Sequence, residues 1–191
     1  PIYPKMNLSK RMQQAKVCPY LLRNAVIDAP NQAWSIDITY IPIRHGFLYL
    51  TAVIDWYSRC IVGWEVDDTL DTGMVINALK KAFAVAKPHI LNSDQGCQFT
   101  SRQYIDFVKE NNIRQSMDGK SRWADNIMIE RCFRSFKYEE VYLTQHNNIK
   151  EARTAIGRYI HTYNFERYHS ALDYKTLAEC YYPAMLLPYV A

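Results

Sequence analysis

Three carboxylates stand where carboxylates are least expected. Asp37 interrupts the apolar run Ser35-Ile36-Asp37-Ile38-Thr39, and Asp94 follows a short apolar stretch in Asn92-Ser93-Asp94-Gln95-Gly96. Glu130 lies in Asp125-Asn126-Ile127-Met128-Ile129-Glu130-Arg131, with 35 residues between it and Asp94. Carboxylates avoid strand interiors and helix starts packed among Ile, Trp and Phe unless something offsets their desolvation. A strand-interior Asp, a strand-end Asp and a helical Glu converge only if a late helix packs beside the strands. Three anionic groups at one point then repel unless cations neutralise them. Hard oxygen donors without His or Cys select Mg²⁺, with Mn²⁺ as a substitute, over zinc. Two such ions can clamp the attacking and leaving oxygens of a phosphodiester, so that water or a 3′-hydroxyl displaces in line without a covalent protein intermediate. His161 and His169 read as packing or backbone-contact residues rather than general bases.

Each carboxylate also has a plainer reading. Asp37 shares a strand face with Ser35 and Thr39, which can be the wet side of a sheet; Asp94 can be a turn residue or helix cap; Glu130 can pair with Arg134 one turn on. At 100° per residue, Asn126 falls about −40°, Arg134 about +40° and Lys137 about −20° from Glu130. Met128, Ile129, Cys132, Phe133 and Phe136 take the opposite arc. One polar stripe thus carries Asn126, Arg134 and Lys137 with Glu130, and on its own reads as a solvent-facing row with ordinary i, i+4 ion pairs; DNA contact by these residues waits on the family resemblance. Gln95 and Gln98, beside Asp94, touch DNA or fix the turn. In the loop before the helix, Lys120 and Arg122 can meet phosphate while Trp123 stacks on a base, or Trp123 anchors the loop in the core.

The elements that must position these groups follow from periodicity. Trp34–Ile41, Phe47–Asp55 and Cys60–Val66 are rich in β-branched and aromatic residues and separated by turn-like segments, which predicts an antiparallel three-stranded meander. Helical spacing predicts a helix over 71–86, after which His89–Asn92 joins the sheet in parallel. A helix over 100–111, a fifth strand over Ile113–Met117, and helices over 125–141 and 148–164 complete an α/β order of βββαβαβα. Residues 1–33 carry four prolines and the basic Lys5, Lys10, Arg11 and Lys16, and read as a basic extended leader or linker; 34–170 read as the core, and 171–191 as a C-terminal tail.

The 191 residues suffice for one ordinary domain with a proper core, 49% apolar and 14% aromatic, which excludes a disordered chain. A net charge of +4 fits a polyanionic partner without requiring one. Five widely spaced cysteines without a C-x-x-C pair point to a reducing cytosol and against a zinc site or disulfide framework. No run approaches a membrane span. The start at Pro1 rather than Met predicts a piece of a longer protein.

The stretches Trp34–Ile41, Tyr49–Arg59, Asn92–Ser101, Ser116–Gly119, Asp125–Glu130 and Tyr163-Asn164 with Arg167 and His169-Ser170, in this order, resemble the catalytic core of the DDE transposases of bacterial insertion sequences. Those cores are similar to retroviral integrases. The resemblance runs from about Tyr20 to Pro183. It implies a ribonuclease-H-like fold with a mixed five-stranded sheet flanked by helices. It also implies that Asp37, Asp94 and Glu130 hold two Mg²⁺ ions and that Lys137 contacts DNA near the reacting phosphate. The expected activity is cleavage and strand transfer at transposon ends and target DNA, by a homo-oligomer assembled on DNA, in the bacterial cytoplasm at the nucleoid. Such transposases carry a helix-turn-helix segment ahead of the core, which residues 1–33 do not supply. A second reading is therefore a truncated or domesticated remnant that only binds DNA or oligomerises. A ribonuclease H acting on hybrids would share the metals but lacks the Trp34, Gln98 and Asp125-Asn126 context.

Overall fold

The computed structural model describes residues 17–118 and 126–182. Strands β1 (Ala33–Ile43), β2 (Gly46–Asp55) and β3 (Ile61–Asp67) form the expected antiparallel meander. Helix α1 (Thr72–Phe83) returns the chain so that β4 (Ile90–Ser93) pairs with β1 in parallel. Helix α2 (Arg102–Glu110) does the same for β5 (Arg114–Met117) beside β4. The sheet order is β3-β2-β1-β4-β5. Both helices begin at a side-chain cap: Asp71 accepts from the Met74 N–H at 2.8 Å and Ser101 from the Tyr104 N–H at 3.2 Å.

Helix α3 (Ile127–Phe136) widens into a π turn over Lys137–Val141, so the helical run ends where expected but not as one regular α-helix. Helix α4 (Ile149–His161) likewise runs into a π turn over Thr162–Glu166. A fifth helix, α5 (Leu177–Tyr181), closes the described chain with a Thr176/Glu179 capping box. Its five residues are too few to leave a periodic signal, but Leu177, Ala178 and Tyr181 are buried, and the Tyr181 hydroxyl donates to Asn31 Oδ1 at 2.6 Å.

Period-two alternation divides the core between the two faces of the sheet. Gly63 of β3 lies against α1: a Cβ there would come within 2.6 Å of the Ala78 carbonyl oxygen and 2.7 Å of Ala82 Cβ, so only glycine lets that helix seat. On the other face Leu50, Ala52 and Ile61 meet Cys132, Phe133 and Phe136 of α3 and Ile160 of α4. Asn164 accepts the Ile61 N–H at 3.0 Å and donates to the Ile61 carbonyl at 2.9 Å, clasping the start of β3 from the end of the α4 segment. Asp37 faces this second layer. Its face-mates Ser35 and Thr39 are 1% and 5% exposed, so this is not the wet side that the strand pattern alone allowed.

Candidate active site

The order of the strands sets three aspartates at one end of neighbouring chains. Ser35 of β1 pairs with Asn92 of β4, which pairs with Ser116 of β5. Two residues further along each chain stand Asp37, still within β1, and Asp94 and Asp118, just past the ends of β4 and β5. The Asp118 N–H donates to the Ser93 carbonyl at 3.0 Å, so the ladder reaches this level. Parallel strands end here and turn into helices, the place where open α/β sheets gather ligands.

Each carboxylate has its own support. Asp37 is half-buried, and its Oδ1 accepts the Ile38 N–H at 2.7 Å. Asp94 is exposed; its Oδ1 accepts the Gly96 N–H at 2.8 Å, and a Cβ on Gly96 would sit 2.9 Å from that oxygen and push the carboxylate aside. Asp118 accepts from Asn92 Nδ2 at 2.7 Å, while its carbonyl accepts from Gln95 Nε2 at 2.9 Å. Those two bonds tie the loop bearing Asp94 to the end of β5. Glu130 is exposed on α3, and among the described residues it makes no ion pair, so the i, i+4 pairing with Arg134 is not formed.

Burial pushes the Asp37 carboxyl up from 3.8 to about 7; its bond from the Ile38 N–H opposes this, while the charges of Asp94, Asp118 and Glu130 raise it further. Four acidic groups from β1, the β4 loop, the β5 end and α3 therefore act on one another. Among the described residues no three His, Cys, Asp or Glu side chains are drawn together as a ready-made metal cage. The side-chain bonds explain this in part: Asp37 and Asp94 each commit an oxygen to local backbone.

Of the DNA-contact candidates, Arg134 is exposed and Lys137 half-buried, with Arg134 lying over the Tyr138 ring at 5.9 Å. Gln98 is half-buried beside Asp94, its Oε1 3.3 Å from Cys97 Sγ and its carbonyl bonded by the Ser101 hydroxyl at 2.8 Å. Asn126 departs from the predicted stripe. It is 5% exposed with φ −131°, because the helix begins at Ile127 and the 100° arithmetic does not extend to the residue before it. Lys120, Arg122, Trp123 and the basic residues Lys5 to Lys16 lie outside the described residues.

Asp118 was not among the expected site residues. Sequence places it in a loop after β5, and only the β4–β5 register aligns it with Asp94; the alternation Ser116-Met117-Asp118 at a strand end was the available signal.

Two family models, each described as an integrase core domain, match residues 28–122 and 111–176. A transposase for insertion sequence element IS904 of Lactococcus lactis subsp. lactis (strain IL1403) is 37% identical over 78% of this chain and 60% of its own length. A putative transposase, InsK, for insertion sequence element IS150 of Escherichia coli (strain K12) is 34% identical over 83% of this chain and 58% of its own. The chain thus spans somewhat more than half the length of these curated relatives. Among solved structures, the HTLV-2 integrase catalytic core domain in complex with magnesium superposes with a TM-score of 0.67 at 21% identity, over 80% of this chain and 97% of that one. The fold is therefore the ribonuclease-H-like fold of integrase catalytic cores. With two models of one description spanning 28–176 and insertion-sequence transposases as its relatives, the chain belongs to the integrase core domain family.

Proposed function

We propose that this chain is the catalytic core of a bacterial transposase that breaks and joins DNA strands at phosphodiester bonds, with Asp37, Asp94 and Glu130 as the acidic triad. The observation that carries the reading is Asp37, a half-buried carboxyl at the centre of a sheet, raised toward pH 7 by burial and by the charges of Asp94, Asp118 and Glu130. A structural carboxylate would be offset by donors or cations, whereas this one faces further anions.

The donor set fits a hard divalent cation: carboxylate oxygens only, with Mg²⁺ favoured and Mn²⁺ acceptable. Asp37, Asp94 and Glu130 would hold two such ions. Bound there, they supply Lewis-acid activation of the attacking and departing oxygens of a phosphodiester. The chain's own residues do the rest. Asp37 would hold such an ion as the carboxylate, so that binding would be linked to loss of its proton, and the exposed Asp94 and Glu130 would supply the remaining oxygens. Asn92 and Gln95 keep the Asp94 loop in register through Asp118. Arg134 and Lys137, on the Glu130 flank of α3, grip the backbone of the strand being cut, and Gln98 borders the same groove. Lys120 and Arg122 are further proposed contacts to that strand. Asn126 is buried just ahead of α3 and makes no side-chain capping bond to it, so any part it takes in holding DNA runs through the position of that helix start. Transposon ends and target DNA are the proposed substrates, a homo-oligomer on DNA the working state, and the bacterial cytoplasm the setting. Among the described residues no helix is long and apolar enough to cross a membrane.

Calorimetric titration of the ion-free chain with Mn²⁺, beside nicking of labelled insertion-sequence end DNA, tests this reading. Glu130→Gln keeps volume on an exposed helix face, where surface changes alter stability by about 0.5 kcal/mol or less. It should lose nicking and weaken ion binding while folding normally. Full nicking by the variant in Mg²⁺ would refute the triad.

A further inference from the structure

Helix α3 has two flanks. Glu130, Arg134 and Lys137 lie along one; Met128, Arg131 and Ser135 lie along the other, about 100° or more around the axis from Glu130. The second flank borders a cavity of about 180 Å³, closed on its other sides by Ile54 at the end of β2, by Arg59, and by Tyr163, Arg167 and His169 after α4. Three guanidinium groups and an imidazole from three separated segments thus line one small space.

The charges there are under-compensated. Arg167 donates to Glu139 at 2.7 Å and lies over the Tyr163 ring at 5.8 Å. Arg59 and Arg131 have no ion-pair partner among the described residues. Arg59 holds φ +64°, a left-handed conformation that an arginine adopts at a cost and that sets the direction in which its side chain leaves the β2–β3 turn. His169 Nε2 is enclosed and lacks a hydrogen-bond partner, while its ring packs edge-on to Tyr163 at 5.5 Å. Burial, and then the charges of Arg167 and Arg59, lower the His169 pKa, against its bond to the Tyr163 backbone and the Glu139 charge. Gathering like charges around an unbonded ring nitrogen is unfavourable unless an anion completes the set.

We propose that the Arg59/Arg131/Arg167/His169 cavity is a phosphate-binding site, taking either a phosphodiester of bound DNA or a free phosphate, on the flank of α3 away from the carboxylates. Guanidinium forks suit tetrahedral phosphate oxygens, the Ser135 hydroxyl adds a neutral donor, and Nε2 donates once His169 is protonated. With the ring's other nitrogen on the Tyr163 backbone, phosphate binding carries a proton uptake at His169. The site is independent of the acidic triad.

The test titrates the full, ion-free chain with inorganic phosphate and follows the His169 ring signals by NMR, assigned by their loss in His169→Gln. Saturable movement toward the protonated position is expected. Arg131→Gln, on an exposed helix position that leaves folding intact, should weaken phosphate binding by about tenfold, the factor of one charge-assisted hydrogen bond. Glu130→Gln should leave binding unchanged, which separates this site from the triad. Competition by a short DNA duplex assigns the site to the DNA backbone, and phosphate binding without such competition assigns it to free phosphate. A response that does not saturate, or that Arg131→Gln leaves untouched, overturns the proposal.

Discussion

Buried carboxylates occur in two kinds in this molecule. Asp55, wholly buried at the end of β2, accepts the Asn31 and Ser58 N–H groups at 2.8 Å each and the Ser58 hydroxyl at 2.7 Å. Glu65 in β3 is held by Lys81 at 2.7 Å and Arg153 at 2.9 Å, joining α1 and α4 to the sheet. Asp37, one strand away from Asp55 in the same meander, has one bond from its neighbouring N–H and three further carboxylates acting on it. The difference separates architecture from chemistry. A carboxylate offset by donors or cations holds the fold, and one left among anions is kept for something that arrives later.

The largest effect should come from erasing the unusual member. Asp37→Asn should cut strand cleavage at least about a hundredfold, the upper range seen for losing even an outer partner of a metal site. It should also make the ion-free protein more stable above pH 7, since it removes a charge from among three others. Cleavage assays and thermal melts of the same preparation check both; a variant that loses stability instead would put Asp37 in the class of Asp55.

Asp55→Ala is the converse. It strands two N–H groups and a hydroxyl in the core, so melts should show a loss of about 3 kcal/mol. The surviving folded fraction should still bind Mn²⁺. Loss of ion binding without loss of stability would break the distinction.

A smaller effect follows from pH. The Asp37 carboxyl sits at about 7 in the folded chain against 3.8 unfolded, so the native state binds its proton more tightly. That contribution is fully present below about pH 4 and is lost as pH rises through 7, on the order of 2 kcal/mol after allowance for solvent reaching a half-buried group. The difference in melting between wild type and Asp37→Asn, followed from pH 4 to 8 without divalent ions, should trace this window. Mg²⁺ at pH 8 should restore wild-type stability and leave the variant nearly unmoved. A flat difference curve would mean that the carboxyl is not held among its neighbours.

Much of this contrast was legible in the chain before its fold. The strand of Asp37 announces itself because Ile36 and Ile38 are β-branched and alternate on either side of it, and a lone Asp between them is conspicuous. What stayed hidden depended on pairing or on ends. Asp118 becomes a neighbour of Asp94 only through the β4–β5 register. Asn126 fell inside because helical arithmetic was carried past the first helical residue. Asn164, polar on a helical pattern, proves to clasp Ile61 about a hundred residues earlier, which no local period encodes. Asp55, closing the apolar run Ala52-Val53-Ile54, resembles Asp37 in sequence context, and only its hydrogen bonds sort it into the supports of the fold.

The smallest predicted effect concerns Lys137, where the contrast between satisfied and unsatisfied charge recurs with the opposite sign. Lys137 closes α3 with right-handed dihedrals, so it keeps its place two turns from Glu130 on the same flank, and it has no ion-pair partner among the described residues. If it waits for a phosphate beside the triad, each contact releases one condensed counterion. Lys137→Ala should then weaken binding to unrelated DNA sequences alike and lower the slope of log K against log salt by about 0.9. Arg153→Ala, which removes a cation already paired with Glu65, should leave that slope unchanged while costing stability. Titrations of both variants over a salt series read the outcome directly. Equal slopes for Lys137→Ala and wild type would return this lysine to the ordinary solvated surface without touching the argument for the carboxylates.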